Sequence, residues 1–499
     1  MKKPNLLIGL SALSVAIWMG ASALTLRPIS DNSFTLSATV PTDVRLGATD
    51  AELAEFAWQE FVALNWQSSF NANGVSSPTN QERGVPNPNW SVSSGSVNLA
   101  VWETYLHRTE LIQKAGLDST HFSKGKPQYN NYQQSSSVVD SLMLLSSSNP
   151  VYWNVLDEDN EIGSCFLFYV HGGDTVEVLY QAKANIAEYE YLKSRFSTPQ
   201  DQIAAKKVVN SINADSVLTA YTANGLNCAQ DTSDIVPKKR EDVLSSFKNS
   251  ICFPCSEGDV QGAIEIKTAW RPLMPGDTAS QFISREVIYF EADASGKQKT
   301  AVTTMVLIGM HIIHKTRNYP SLIFASWEHK SVRQGDDYIF ISSNIYDGGK
   351  GAEHAVLPRI PGAIPQVYQT ANTNVHDAIR SANTNSTWLN YDLIGVQAFP
   401  IDYYTYLQDP DKYPSYFLAN YVIESDSALT AFHGSFGVPF DASITNVVSN
   451  GRSVNMGGCQ GCHGQAALAG SDFSFLPGVV TTKPDIQQSY SEAKMAASH

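Results

Sequence analysis

Apolar side chains near the start of the chain recur at the spacing of an α-helix. They follow a Thr-Asp-Ala-Glu segment at 49–52, which has the sequence of a capping box: the Thr hydroxyl and the Glu carboxylate satisfy backbone N–H groups at a helix start. The apolar residues that share one helical face are Leu53, Ala57, Phe61 and Leu64. The pattern predicts a helix that begins at the capping box and ends at Asn65-Trp66. A second helix is predicted from Leu99 to Lys114.

The middle of the chain changes to the two-residue period of a β-strand. Between 264 and 270, Ile, Thr and Trp alternate with Glu, Lys and Ala. Similar runs lie at 283–290, 302–313 and 322–329. We predict that these segments pair as an antiparallel sheet.

Helical composition occurs on both sides of these strands. Residues 181–215 are rich in Ala, Glu and Lys, which favour helices. Residues 415–432 predict another helix, because Gly434 follows as a common stop signal. The predicted fold class is therefore α+β, with a large mixed domain in which helices surround an antiparallel sheet.

The first residues have the three parts of a secretory signal. Lys2 and Lys3 are followed by an apolar region from Leu6 to Met19 and by the small residues Ala21-Ser22-Ala23. We expect residues 1–23 to be removed, residues 24–48 to form an extended leader, and the mature protein to be periplasmic without a transmembrane segment. The alternative is an uncleaved membrane anchor, because residues 6–24 approach the ~20 apolar residues that a spanning helix needs.

The charge balance excludes one class of partner. The chain has 34 Lys+Arg against 48 Asp+Glu and a net charge of −14 at pH 7. Binding to a phosphate backbone needs a surplus of basic residues that displaces counterions. We therefore expect no nucleic-acid partner.

The strongest chemical signal is a Cys-x-x-Cys-His segment, Cys459-Gln460-Gly461-Cys462-His463. This is the c-type haem attachment pattern, in which two thiols add to haem vinyl groups and the adjacent imidazole binds the iron. The spacing lets both sulfurs reach neighbouring vinyls while the chain turns into a helix. A disulfide and a zinc site are the alternatives, but a zinc site needs four donors.

These residues resemble the cytochrome c superfamily. The resemblance covers Cys459 to His463, the small residues 464–470 and the segment 472–476. It implies one covalent haem c, attached through Cys459 and Cys462 with His463 as the proximal iron ligand. It also implies that residues 411–499 form a small, mainly α-helical cytochrome c-like domain, which follows an α+β domain of unknown function at 49–410.

Four upstream segments resemble large exported bacterial proteins that carry one C-terminal haem. They are Ala63-Leu64-Asn65-Trp66, the strand at 264–270, the segment 311–316 and the segment 326–329. That group has no established activity, so the resemblance implies an architecture without implying a reaction.

The sixth iron ligand is left open by the sequence. Met495 is the only methionine after His463, and a final helix from Ser489 would bring it towards the haem. The alternatives are His433, a residue of the large domain, or an open position. Two protein ligands favour electron transfer, whereas an open position permits binding of small molecules.

The four other cysteines are predicted to form disulfides, because an exported protein meets an oxidising compartment. Cys165, Cys228, Cys252 and Cys255 allow three pairings. The spacing of Cys252 and Cys255 also has the form of a redox-active pair, which we keep as the second interpretation.

Two further groups invite a metal-site interpretation. His311, His314 and His329 with Glu328 have ligand chemistry, but residues three apart on a strand point to opposite sides, which favours structural roles. The segment 157–161 is as acidic as a calcium loop, yet its glycine falls at the wrong position, and we predict a turn.

The sequence therefore predicts an exported c-type cytochrome that transfers single electrons to or from a periplasmic redox partner. The acidity favours a basic or metal-bearing partner. One alternative is an oxidoreductase whose large domain oxidises a small molecule and passes the electrons to the haem. Another is a haem-based gas sensor or binding module. The sequence makes no prediction of the oligomeric state.

Overall fold

A computed structural model describes most of the predicted sheet and part of the C-terminal region. The described residues are 34–70, 83–112, 127, 153–160, 166–214, 250–296, 298–333, 338–342, 356–359, 362–399, 407–414, 419–425, 446–449, 452–455, 457–468, 470–478, 485 and 487. The predicted signal at 1–23 lies outside them, and the part of the leader from Phe34 to Ala48 contains no helix or strand. From Thr35 onward the described residues belong to one unit. The domain boundary expected at 411 stays a prediction.

The helices of the described part lie at its two ends and in its middle. In chain order they are α1 (Asp50–Leu64), α2 (Ile186–Arg195), α3 (Pro199–Ala214), α4 (Gln366–Ala382) and α5 (Gly458–Leu468). Short 3₁₀ turns occur at Val92–Ser94, Trp102–Thr104, Arg108–Leu111, Ala279–Gln281, Lys330–Arg333, Thr387–Asn390 and Pro410–Lys412. No helix in the described ranges is long and apolar enough to cross a membrane.

The strands form antiparallel sheets. In chain order they are β1 (Leu106–His107), β2 (Phe166–His171), β3 (Asp174–Glu177), β4 (Leu179–Ala184), β5 (Ile264–Pro272), β6 (Ser284–Ala292), β7 (Gln298–His314), β8 (Ile323–His329), β9 (Tyr338–Ser342), β10 (Val356–Arg359), β11 (Tyr391–Gln397), β12 (Asn446–Ser449) and β13 (Arg452–Asn455). A seven-stranded sheet has the order β1-β4-β5-β7-β8-β11, with β6 also paired to β7. A four-stranded sheet has the order β10-β9-β2-β3, and β12 pairs with β13.

The seven-stranded sheet is covered on both faces, which explains why its strands are buried on both sides. Helices α1 and α4 cover one face, where Trp58 Nε1 donates to Asn372 Oδ1 at 3.0 Å. Residues of β2 and β9 pack with β4 and β7 in a shared core on the other face. The residues of that core include Leu167, Tyr169, Tyr180, Val306, Ile308 and Ile339. The α+β prediction is confirmed.

The capping box predicted for the first helix is present. Thr49 accepts a hydrogen bond from Glu52 N, the Glu52 carboxylate accepts one from Thr49 N at 2.8 Å, and Asn65 is the C-cap. The strands predicted at 264–270, 283–290, 302–313 and 322–329 correspond to β5, β6, β7 and β8. Residues 186–214 contain α2 and α3, as the composition of 181–215 predicted, although 181–184 belongs to β4.

The prediction of a second helix from Leu99 to Lys114 is wrong in the part that the structure describes. Leu106 and His107 pair instead with Ala184 and Lys183 as strand β1. Tyr105 is extended, so the chain cannot continue a helix through this segment. Pairing with a distant strand overrides the local helical pattern.

The helix predicted at 415–432 is also wrong over its described residues, 419–425, which form a turn. Asn420 donates from its side chain to Ser326 Oγ at 2.8 Å and to Trp327 O at 3.1 Å. The Glu328 carboxylate accepts from Tyr421 N. These bonds to β8 compete with the hydrogen bonds that a helix would make.

A glycine in β7 allows this turn to approach the sheet closely. A Cβ atom at Gly309 would lie 2.5 Å from Val422 Cγ2 and 3.1 Å from Ile423 Cγ1. Val422 and Ile423 are fully buried in the core shared with β2 and β9. The absence of a side chain at 309 is therefore what lets the turn complete that core.

Candidate functional site

The Cys-x-x-Cys-His segment forms the first part of helix α5. Cys459, Cys462 and His463 are spaced three and four residues apart, so they share one face of the helix, and each is partly exposed. Gln460 and Gly461 lie between them and are buried. The helix thus turns the two thiols and the imidazole to one side and fixes its other side to the protein.

The buried side of α5 is held by glutamine side chains. Gln397, at the end of β11, accepts from Gln460 N at 2.9 Å and donates to Gly457 O at 2.9 Å. Gln460 donates to Ser321 O and Leu322 O, both at 3.2 Å, just before β8. Cys459 packs beside Ile313, Phe324 and Phe473 in a small apolar cluster. Helix α5 therefore lies against the seven-stranded sheet.

The ring of His463 is oriented by a backbone carbonyl. Its Nδ1 lies 2.7 Å from Phe473 O, and since a carbonyl only accepts, Nδ1 must carry the proton. The tautomer with a proton on Nδ1 has its lone pair on Nε2. Phe324 and Phe475 flank the ring with centroids at 4.8 Å and 4.9 Å. This is the arrangement found around histidines that bind metals through Nε2.

The carbonyl that orients His463 belongs to an unusual turn. Asp472 and Phe473 both have positive φ angles, 54° and 64°, and both are buried. The left-handed region costs a non-glycine residue about 1 kcal/mol or more. Asp472 is held there by an ion pair with Lys315 and by Phe253 N, which donates to Asp472 Oδ2 at 2.6 Å. The turn therefore directs the Phe473 carbonyl towards His463 at a cost in backbone conformational energy.

Buried carboxyl groups surround this turn. Glu188 from α2 and Glu265 from β5 lie next to each other, with Ser474 beside Glu265. Burial, reinforced by the neighbouring Glu265, raises the pKa of Glu188 well above its ordinary value. Burial also raises the pKa of Glu265 to about 7. Burial raises the pKa of Asp472 to about 6, although Lys315 opposes the shift.

The residues of α5 fit a haem c. The thiols of Cys459 and Cys462 are reduced and partly exposed on the same face as His463, and the hydrogen bond to Phe473 selects the tautomer that can bind iron through Nε2. A disulfide between Cys459 and Cys462, the first alternative, is not formed. Met495 and His433, the two side chains considered for the sixth position, lie outside the described residues.

The histidines predicted to be structural are separated by the sheet. His314 Nδ1 lies 2.6 Å from Glu60 Oε1 and its Nε2 lies 3.0 Å from Ser256 Oγ, whereas His311 faces Glu424 at 3.2 Å. His329 stacks on Phe282 at 3.9 Å. Across the described ranges, no three His, Cys, Asp or Glu residues are arranged to hold a metal ion.

Glu328, the carboxylate proposed with these histidines, also has a structural role. It pairs with Arg333 and accepts from Tyr421 N. The acidic segment at 157–161 behaves similarly in its described part: Asp157 accepts from Arg108 Nε at 2.8 Å and lies 3.0 Å from His107 Nε2. Asp157 is thus buried and ion-paired, and an isolated β-bridge joins Glu158 to Tyr180.

The cysteines of the other Cys-x-x-Cys segment have different states. Cys252 is disulfide-bonded, with a partner outside the described residues, and Cys255 remains a reduced thiol. Burial raises the pKa of the Cys255 thiol, which makes it a weaker nucleophile. Cys252 and Cys255 therefore do not form a disulfide with each other, and the prediction of a disulfide at Cys255 is wrong. Which of Cys165 and Cys228 pairs with Cys252 stays open, because both lie outside the described ranges.

A cavity of about 600 Å³ opens away from α5, where Arg285 of β6 pairs with Met305 in the middle of β7. Its floor contains an ion pair in which Arg285 donates to both oxygens of Glu103 at 2.8 Å. Trp90 and Trp388 form part of its wall, with ring centroids 6.0 Å apart. This cavity could not be predicted from the sequence, because its lining comes from five separate segments.

The buried carboxyl groups were likewise not found from the sequence as a site. Glu188, Glu265 and Asp472 lie in three distant segments, and the only local signal was the resemblance that includes Lys315 and Asp472. Comparison of the chain with protein-family models, curated proteins and solved structures finds no match.

Proposed function

We propose that the protein is a c-type cytochrome that binds one haem c covalently and transfers single electrons. Cys459 and Cys462 hold the haem, and His463 binds the iron. The observation that carries the proposal is the hydrogen bond from His463 Nδ1 to Phe473 O on a helix whose same face bears both thiols. The bound group supplies the one-electron chemistry, and the chain fixes the ligand and its protonation.

Covalent attachment is tested by a pyridine haemochrome spectrum and by the mass of the protein made together with haem-attachment machinery. We expect one haem per chain, and its loss in the variants Cys459→Ser and Cys462→Ser. Cys255→Ser is the matched control, since this thiol lies outside the motif, and it should keep the haem. A wild-type protein without covalent haem, and with His463 unmodified, would overturn the proposal.

Export to the periplasm is part of the same proposal. Its support is the signal pattern at 1–23 and the disulfide at Cys252, because disulfides persist in oxidising compartments. N-terminal sequencing of the protein from a periplasmic extract should give Leu24 as the first residue. A protein that begins with Met1 and stays with the membrane would instead support the uncleaved anchor.

The electron-transfer partner is expected to be basic or metal-bearing, because the protein carries a net charge of −14. Opposite charges accelerate the encounter of two proteins, and salt screens that attraction. The second-order rate of haem reduction by a basic redox protein should therefore fall as ionic strength rises. The boundary of a small C-terminal haem domain at 411 also belongs to this proposal.

A second candidate function is oxidation of a small molecule in the cavity, with electrons passed to the haem. Met305, which pairs with Arg285 at the cavity, and Ile313, beside α5, lie roughly 26 Å apart along β7, at 3.3 Å per residue. Buried rings cover part of that span: the Trp388 and Phe61 centroids are 6.4 Å apart, and those of Phe61 and Trp327 are 5.2 Å apart.

The second candidate is tested by haem reduction without an added reductant. Purified haem-loaded protein is mixed with a panel of small alcohols, aldehydes and sugars, and the reduced absorption bands are followed. Reduction that is lost in Trp388→Ala but kept in Trp66→Phe would support oxidation in the cavity. An unchanged spectrum across the panel would leave electron transfer as the function.

A further inference from the structure

Three carboxyl groups and one amine are enclosed directly behind the haem-attachment helix. They are Glu188, Glu265, Asp472 and Lys315, and none of these residues is more than 7% exposed. Lys315 pairs with Asp472. That pairing leaves Glu188 and Glu265 with no basic partner among the residues the structure describes. Their burial therefore has to be stabilised in another way.

A shared proton accounts for the geometry of Glu188 and Glu265. The two carboxyl groups are direct neighbours inside the protein. Two carboxylates cannot hydrogen-bond, since neither has a donor, and their like charges repel in a buried site. No donor among the described residues reaches either Glu188 oxygen or Glu265 Oε1, although all three atoms are buried. One proton held between them supplies the missing donor and removes one charge.

A bound cation does not fit the same groups. The oxygens of Glu188, Glu265 and Asp472 have suitable chemistry, but within the described ranges no three such side chains are arranged to hold a metal ion. Lys315 already occupies the position beside Asp472. The proton is therefore the ligand that this cluster accommodates.

One short turn joins the carboxyl pair to the haem ligand. Asp472 pairs with Lys315, the carbonyl of Phe473 accepts from His463 Nδ1, and Ser474 lies beside Glu265. These three residues are consecutive. A change in charge at His463 thus lies one short buried turn away from Glu265, in surroundings where charges are weakly screened.

We propose that the Glu188–Glu265 pair takes up one proton from solvent when the haem iron gains an electron, and releases it when the iron is oxidised. The inference rests on the proposed function. A one-electron donor reduces ferric to ferrous iron, and the pair changes from one shared proton to two protons, so the added negative charge is neutralised. The charged and titratable groups that face the pair are Asp472 and Lys315, and through Asp472 also Tyr191 and Cys255.

The proposal predicts a reduction potential that depends on pH. The potential of the haem-loaded protein is measured between pH 5 and pH 9 in the wild type and in Glu188→Gln and Glu265→Gln. For one proton per electron we expect a tenfold change in the reduction equilibrium per pH unit, which is about 59 mV, with the potential falling as pH rises. Each glutamine variant should lose most of this slope. Glu257→Gln, an exposed carboxylate, is the matched control and should keep it.

A second measurement covers the case in which a glutamine variant does not fold. The reduced-minus-oxidised infrared spectrum of the wild type should show a carboxylic acid C=O band that appears on reduction. A potential that does not vary with pH, a slope unchanged in the variants, or a spectrum without that band would overturn the inference while covalent haem is present. Absence of covalent haem would overturn the proposed function, and this inference with it.

Discussion

Gln397 holds the backbone at the start of helix α5 through both ends of its amide. Its Oε1 accepts from Gln460 N and its Nε2 donates to Gly457 O, each at 2.9 Å. Gln397 is the last residue of β11, so one side chain joins the sheet to the turn that carries the first thiol. The position of the motif is therefore set by a strand that is distant in sequence.

Replacing this amide should loosen α5 without removing any haem-binding residue. Gln397→Leu leaves Gln460 N without its partner, whereas Gly457 O keeps the hydrogen bond from Gly461 N at 3.1 Å; one buried unpaired group costs about 1–3 kcal/mol. We expect a lower midpoint of urea unfolding and a lower haem content. Gln369→Leu, on the exposed side of α4, is the matched control and should unfold like the wild type. Equal midpoints for the two variants would show that the amide does not secure the helix.

The ion pair between Arg83 and Glu110 should contribute far more than an exposed pair of the same chemistry. Both side chains are fully buried, and Arg83 donates to the two Glu110 oxygens at 3.1 Å and 2.8 Å. Arg83→Ala removes the guanidinium that faces the buried Glu110 carboxylate, and breaking a buried pair in this way costs about 3–5 kcal/mol. Arg380→Ala breaks the exposed pair with Asp377 and should change little. Urea unfolding of both variants measures the difference; similar free energies of unfolding would contradict this expectation.

His376 should make the protein sensitive to acid. Burial lowers the pKa of His376 to about 4, and its Nε2 donates to Tyr391 O at 2.9 Å. An unfolded histidine titrates near 6.5, so between pH 6.5 and pH 4 the unfolded chain binds the extra proton. The stabilisation from the neutral ring is thus present above pH 6.5 and falls with decreasing pH, by about 1.4 kcal/mol per unit.

The pH effect is isolated by comparing the wild type with His376→Gln, which keeps a donor for Tyr391 O. The free energy of unfolding of the wild type should decrease more steeply than that of the variant from pH 6.5 to pH 4.5. Ile379→Val, a buried change on the same helix, should give a difference that does not vary with pH. Parallel curves for the wild type and His376→Gln would rule out a contribution from this ring.

Gly309 should tolerate a side chain only if the side chain of the opposing turn is made smaller. The Cβ of Gly309→Ala would lie 2.5 Å from Val422 Cγ2, and overpacking of this kind costs about 1–3 kcal/mol. Val422→Ala removes that methyl group. The double variant should therefore be more stable than the sum of the two single effects indicates. Additive effects in urea unfolding would mean that the two residues do not meet.

The elements that the sequence predicted correctly are those with local signals. Helix α1 has its capping box and apolar face within its own residues, and β5 has its alternation within 264–270. The helix predicted over 99–112 was wrong because strand β1 forms there by pairing with the distant strand β4. The helix predicted over 419–425 was wrong for the same reason, since this segment forms a turn whose hydrogen bonds are to β8.

The candidate site also has features with a local sequence signal and features without one. The spacing of Cys459, Cys462 and His463 specifies a shared helical face, so the grouping of these three side chains could be predicted from five consecutive residues. The carbonyl that selects the His463 tautomer could not, because a backbone group leaves no signature in composition. The buried carboxyl groups come from α2, β5 and the turn after α5, and only the folded chain brings them together.

The attachment of α5 to strands that precede it has a consequence for the timing of maturation. The chain is synthesised from its N-terminus, so β8 and β11 are complete before residues 457–478 emerge. On the proposed function, docking of Gln460 and insertion of haem then compete for the same newly made segment. Slow docking gives the attachment enzymes longer access to an unfolded motif. The rate at which α5 settles on the sheet would thus set the fraction of chains that mature.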